Sequence, residues 1–131
     1  MRRVAIWAAV SSLPQAKKVS LEDQLRVGRD HAAQHNAQVV AELVVPGESR
    51  DIVLFEEACR RIAAYEQLQG LINAKAIDVL VYLDRSRLGR TAALSMAVVE
   101  LCKSAGIHEG PALLWCPFVS EKSAKISSHF S

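Results

Sequence analysis

No long apolar run, no excess charge of one sign and no paired-cysteine motif occur in this chain, and each absence removes a class of protein. Charged residues interrupt every hydrophobic stretch before it reaches the roughly 20 residues that a membrane-spanning helix needs. The 16 basic and 14 acidic residues leave a formal charge of +2, so any contact with DNA must rest on local clustering rather than a global field. Cys59, Cys102 and Cys116 are odd in number, lack CxxC spacing and follow no secretory leader, which points to a reduced, cytoplasmic setting and to thiols that act as small core hydrophobes. The phosphate loop GxxxxGK[ST] is missing and GxGxxG does not follow the first apolar run, so nucleotide-binding readings fall. There is no HExxH pattern either. His31 and His35 lie one helical turn apart without an obvious third ligand, and they read as ordinary, partly exposed histidines.

What is present fits one domain, for the chain has 131 residues and half are hydrophobic. RRVAIWAAV has the unalternating apolar character of a strand buried on both faces, over about residues 3 to 9. Ser20, followed by Leu21, Glu22 and Asp23, predicts an N-cap and a helix running to about His35. AQVVAELVV predicts a second strand ended by Pro46 and Gly47. Apolar residues at Phe55, Ala58, Ile62, Tyr65 and Ile72 mark one face of a helix that Gly70 divides or weakens. IDVLVYL is the clearest buried strand. After it, Leu94, Val98, Leu101 and Cys102 form a helical stripe closed by Gly106, and residues 112 to 118 are the candidate fourth strand. Trp7 and Trp115 fall in apolar runs and read as core residues rather than stacking platforms for bases.

Alternating strands and helices predict an α/β fold: a mostly parallel sheet covered by helices on both faces. Loops leaving the carboxyl ends of such strands share one edge, and ligands bind there. That edge gathers Ser11 and Ser12, residues 47–50, and residues 85–90. Arg85, Arg87 and Arg90 fall within six residues, and guanidinium groups grip phosphate oxygens in a two-pronged geometry. A serine hydroxyl needs its proton removed or the charge on its target stabilised, and such arginines supply the second. The plainer alternative is a solvated basic loop paired with Asp84.

VAIWAAVSS, SLEDQ, a glycine-serine turn after the second strand, and IDVLVYLDRSRLGR together resemble, in order and spacing, the catalytic domain of serine recombinases: resolvases, invertases and phage-type integrases. The resemblance covers about residues 3 to 107. It implies a resolvase-like catalytic domain over residues 1–110, Ser11 as nucleophile, and Gln24, Ser49, Arg87 and Arg90 as its site partners, with Arg85, Arg87 and Arg90 contacting DNA. It further implies a 5′-phosphoserine link to DNA with release of a 3′-hydroxyl. Religation then needs neither cofactor nor metal. The implied partners are DNA and further copies of the chain, as a dimer or tetramer in the full-length protein, with no membrane.

Four departures accompany the matches. Ala9 stands where many members carry arginine, Ser86 where they carry aspartate, and Trp7 where tyrosine is usual. Residues 111–131 read as an atypical strand and polar tail in place of the long oligomerisation helix and DNA-binding module. Removing one preorganised donor typically costs roughly 10² to 10³ in rate, so Ala9 calls for compensation from Arg85, Arg60 or Arg61. An active recombinase domain, a weakened remnant that binds DNA or relatives, and a small phosphatase or regulatory domain of the same fold class all remain open.

Overall fold

The computed structural model describes residues 2–10, 20–45, 52–89 and 91–112. Ser11, Ser12, Ser49, Arg90, Trp115 and Cys116 thus lie outside the described residues.

Strand β1 (Arg3–Ala9) is buried from Val4 onward. Side chains of an extended segment alternate, and both sets here are apolar: Ala5, Trp7 and Ala9 enter one core cluster, Val4 and Ile6 the other. Helix α1 (Leu21–Gln34) begins at Ser20, whose hydroxyl accepts from the Asp23 amide at 3.0 Å, as the capping pattern predicts. Gly28 lets this helix lie close on the sheet, because a Cβ there would fall 2.6 Å from Ile6 Cγ2. There follow β2 (Gln38–Val45), α2 (Phe55–Arg61), α3 (Ala63–Asn73), β3 (Val79–Tyr82), a 3-10 turn (Arg85–Leu88), α4 (Ala92–Ser104) and β4 (His108–Pro111).

The four strands among the described residues are all parallel, in the order β2-β1-β3-β4, so the fold is the α/β sheet expected. Helix α1 covers one face, with Ala32 against Val4, Ile6, Val79 and Val81. Residues of α2, α3 and α4 cover the other. Right-handed crossovers require this division, since the chain steps one way from β1 to β2 and the opposite way to β3 and β4. The reversal puts the topological switch point, where ligands of such sheets bind, between the carboxyl ends of β1 and β3.

Two expectations need correction. The long helix breaks at Ile62 (φ −131°, ψ 118°), not at Gly70, which sits inside α3 with nothing within 4 Å of a Cβ. In one continuous helix Ile62 and Ala64 would lie about 200° apart around the axis; the extended residue lets both reach the core. His108–Pro111 is a further strand, and of the expected segment 112–118 all but Ala112 lies outside the described residues. At the edge of the described sheet it tolerates polar residues and a proline at its last position. His31 is 6 % exposed, not partly exposed, because it falls on the inner face of α1 beside Ala32. His35 Nδ1 donates to the His31 carbonyl at 2.8 Å, and no third His, Cys, Asp or Glu joins the pair in a metal-sized group among the described residues.

Candidate active site

The switch point is packed around the backbone of Ala9, the last residue of β1. Gln24, reaching from the first turn of α1, accepts from the Ala9 amide at 3.1 Å and donates to the Ala9 carbonyl at 2.9 Å. Arg87 Nη1 donates to the same carbonyl, also at 2.9 Å. Beyond it, the Val10 amide donates to the Val45 carbonyl at 3.3 Å, which keeps β1 aligned with β2 as far as the residue before Ser11. Gln24 and Arg87 are 3 % and 2 % exposed. A guanidinium so deeply buried requires partners, and Asp84 supplies a carboxylate 3.3 Å from Nε. Asp84 also opens the 3-10 turn by accepting from the Ser86 amide at 3.1 Å and from the Ser86 hydroxyl.

The backbone of this turn is held by side chains from three elements. Trp7 Nε1 on β1 donates to the Arg87 carbonyl at 2.7 Å, and the Tyr65 hydroxyl on α3 donates to the Leu88 carbonyl at 2.7 Å. Ser95 Oγ on α4 donates to the Gly89 carbonyl at 3.0 Å. The Trp7 and Tyr65 rings meet edge-on with centroids 4.9 Å apart. Burial pushes the Tyr65 hydroxyl well above its ordinary range, so it stays a protonated donor. Thr91 caps α4 by accepting from the Leu94 amide at 3.1 Å, and it donates to the Ile52 carbonyl at 2.9 Å.

Arg85 stands apart on the rim, its side chain 55 % exposed, with Nη2 3.8 Å from Glu109 Oε2. Its guanidinium is held above the ordinary range by a hydrogen bond with Tyr82 and by the Glu109 charge. It borders a groove of about 340 Å³ that also touches Ser86, Thr91, Ser95 and Met96. Arg61 pairs with Glu57 of its own helix at 3.5 Å. Cys59 and Cys102 are free thiols whose pKa burial pushes upward, so neither is an activated nucleophile.

Solved structures with this architecture include the C-terminal catalytic domain of ISC1926 TnpA, an IS607-like serine recombinase, with 22% identity over 98% of this chain and 82% of that one and a TM-score of 0.66. The N-terminal catalytic domain of TP901-1 integrase is 19% identical over 98% of this chain and 90% of its own, with a TM-score of 0.70. A resolvase family site-specific recombinase from Streptococcus pneumoniae is 16% identical, covers 99% and 85% of the two chains, and gives a TM-score of 0.65. The fold is that of a serine recombinase catalytic domain. No protein-family model matches the chain, and no curated protein sequence does. Identities this low speak for the fold alone.

Within the serine recombinase fold, two of the five candidate site residues, Gln24 and Arg87, converge on one carbonyl. Ser11, Ser49 and Arg90 lie outside the described residues. Sequence reasoning missed the roles of Trp7, Tyr65, Thr91 and Ser95. Trp7 is a core residue, yet its indole N–H is a hydrogen-bond donor to the arginine turn. The available signals were a tyrosine on the apolar face of a helix, whose hydroxyl needs a partner once buried, and a serine beside the apolar stripe of α4.

Proposed function

We propose that the chain acts as a serine recombinase catalytic domain that cuts and rejoins DNA. In this reading Ser11 Oγ loses its proton and attacks a phosphodiester phosphorus, forming a 5′-phosphoserine bond while the 3′-oxygen departs and takes up a proton as a free hydroxyl. A 3′-hydroxyl then reverses the step on the same or another strand, so the phosphodiester energy is conserved. Arg90 and the rim Arg85 contact DNA phosphates, Arg87, buried against the Ala9 carbonyl and Asp84, holds the site together, and Gln24 and Ser49 set the local geometry. Assembly into a dimer or tetramer brings several such sites to one DNA. The observation that carries the reading is the grip of Gln24 and Arg87 on Ala9, two residues before Ser11, inside a fold shared with solved recombinase catalytic domains.

A second reading has its own observation. Arg87 is buried, with bonds to Ala9 and Asp84, and Ala9 is itself 4 % exposed where the family carries a guanidinium. A remnant that binds DNA or a relative without cutting is compatible with this arrangement. The chain fused to a DNA-binding module and offered a duplex bearing the module's site separates the two. Recombinase chemistry gives a covalent protein–DNA product that Ser11→Ala abolishes and Ser12→Ala retains. Absence of the product from the unaltered fusion favours the remnant.

A further inference from the structure

Three consecutive carbonyl groups, those of Arg87, Leu88 and Gly89, each accept a hydrogen bond from a side chain of a different element. A turn normally leaves such carbonyls to water or to its own backbone, and satisfying them one by one from β1, α3 and α4 is a costly arrangement to order. All three donors are buried: Trp7 is 0 %, Tyr65 1 % and Ser95 6 % exposed. The donors also differ chemically. Trp7 brings an indole N–H that is only a donor, Tyr65 a hydroxyl aimed at the Leu88 carbonyl, and Ser95 a hydroxyl closer to the Gly89 carbonyl, at 3.0 Å, than to the Arg85 carbonyl of the same turn, at 3.4 Å. Gly89 adds a steric condition, since a Cβ there would lie 2.7 Å from Leu94 Cγ. Immediately past the described turn, Thr91 ties the start of α4 to the Ile52 carbonyl, at the end of the segment that carries Ser49.

We infer that Trp7, Tyr65 and Ser95 are positioning residues that clamp the backbone of the arginine turn, so that the exposed guanidinium of Arg85 meets a DNA phosphate from a fixed backbone. The role rests on the recombinase reading, because a preorganised cation speeds a reaction only where charge builds on the phosphate. Each donor contributes by restraining Arg87, Leu88 and Gly89, and none touches substrate. The clamp accounts for the placement of a tyrosine and a serine on helix faces that otherwise serve the core.

Amide hydrogen exchange on the full chain reads the clamp directly, and Tyr65→Phe and Ser95→Ala remove one hydroxyl each while keeping the packed atoms. Exchange at Arg87–Gly89 amides is expected to accelerate roughly tenfold per hydroxyl, the scale of one buried hydrogen bond, with α1 amides unchanged. Ser95→Thr, which keeps a hydroxyl, is expected to restore protection. In the DNA-targeted fusion, the same two variants are expected to slow covalent product formation about tenfold while duplex affinity moves less than twofold, a rate effect without a binding effect. Exchange that is unchanged, or that rises equally throughout the chain, overturns the clamp, and so does a loss of affinity equal to the loss of rate. Local exchange as expected, with no covalent product even from the unaltered fusion, counts against the recombinase reading and leaves the clamp standing.

Discussion

At the amino edge of the sheet Arg3 meets Asp78, and at the carboxyl edge Arg87 meets Asp84 and the Ala9 carbonyl; both arginines tie β1 to the β3 region. Arg3 binds Asp78 through its backbone amide at 2.8 Å and its guanidinium at 3.2 and 3.1 Å, better geometry on paper than Arg87 achieves. Its side chain is nevertheless 43 % exposed, against 1 % for Arg87. Water competes for both ends of the first pair; at the second it reaches Asp84, 45 % exposed, but not the Arg87 guanidinium, whose bond to the Ala9 carbonyl is buried and therefore matters more. Good hydrogen-bond geometry marks a fastening; burial marks the place where the fold has been shaped around a charge.

The sharpest way to break this comparison is to remove each arginine in turn. Arg87→Ala takes away a buried bond to the Ala9 carbonyl and a part-buried one to Asp84, leaves a void between β1 and the turn, and is expected to lower unfolding free energy by about 2–4 kcal/mol in urea titration. Arg87→Lys keeps the charge but not the fork, and should recover only part of the loss. Arg3→Ala is expected to shift the midpoint far less. Equal losses from the two alanine variants would show that burial is not what separates the two edges.

A smaller effect extends the contrast of closed and open surroundings to two helical glycines. Gly28→Ala places a methyl 2.6 Å from Ile6 Cγ2 and is expected to cost about 1–3 kcal/mol, whereas Gly70→Ala meets open space and should stabilise by up to about 1 kcal/mol. Thermal melts of both variants, with helicity followed, check the opposite signs. Their agreement in sign would mean that helix propensity outweighs contact at Gly28.

The same contrast separates what the sequence made legible from what it hid. Strand β1, helix α1 with its Ser20 cap, and the closing Gly106 (φ 75°) follow from local rules, because periodicity and capping act within a few residues. Gln24 was legible only through resemblance, and Arg87 through its basic cluster and the resemblance but as a phosphate ligand; their meeting at Ala9, 15 and 78 residues away along the chain, left no local signal. The break at Ile62 and the polar strand His108–Pro111 were illegible for the opposite reason: tertiary burial overrode helical continuity in one, and an edge position excused poor strand residues in the other. The donors to the turn carbonyls were hidden because a buried tyrosine or serine looks the same whether its hydroxyl is idle or engaged.

The smallest effect tests the exposed edge by pH. Asp78 is held below the ordinary carboxylate range first by the Arg3 side-chain hydrogen bond and then by the Arg3 amide. A depressed carboxylate binds fewer protons folded than unfolded, so its stabilisation is present above the unfolded pKa and is lost as pH falls through the folded one. Glu42, lowered by its bond to Arg29, follows the same sign and therefore must be left intact in the comparison. Asp78→Asn keeps an acceptor for the Arg3 amide while removing the charge. The unaltered chain is expected to be slightly the more stable of the two at neutral pH, and the gap should close below about pH 4, where the ordinary carboxylate range ends. Urea midpoints for both proteins across that interval decide it. A gap that persists undiminished into acid would show that the Arg3–Asp78 contact acts through hydrogen-bond geometry rather than charge, and the argument that water weakens the amino edge would then have to be abandoned.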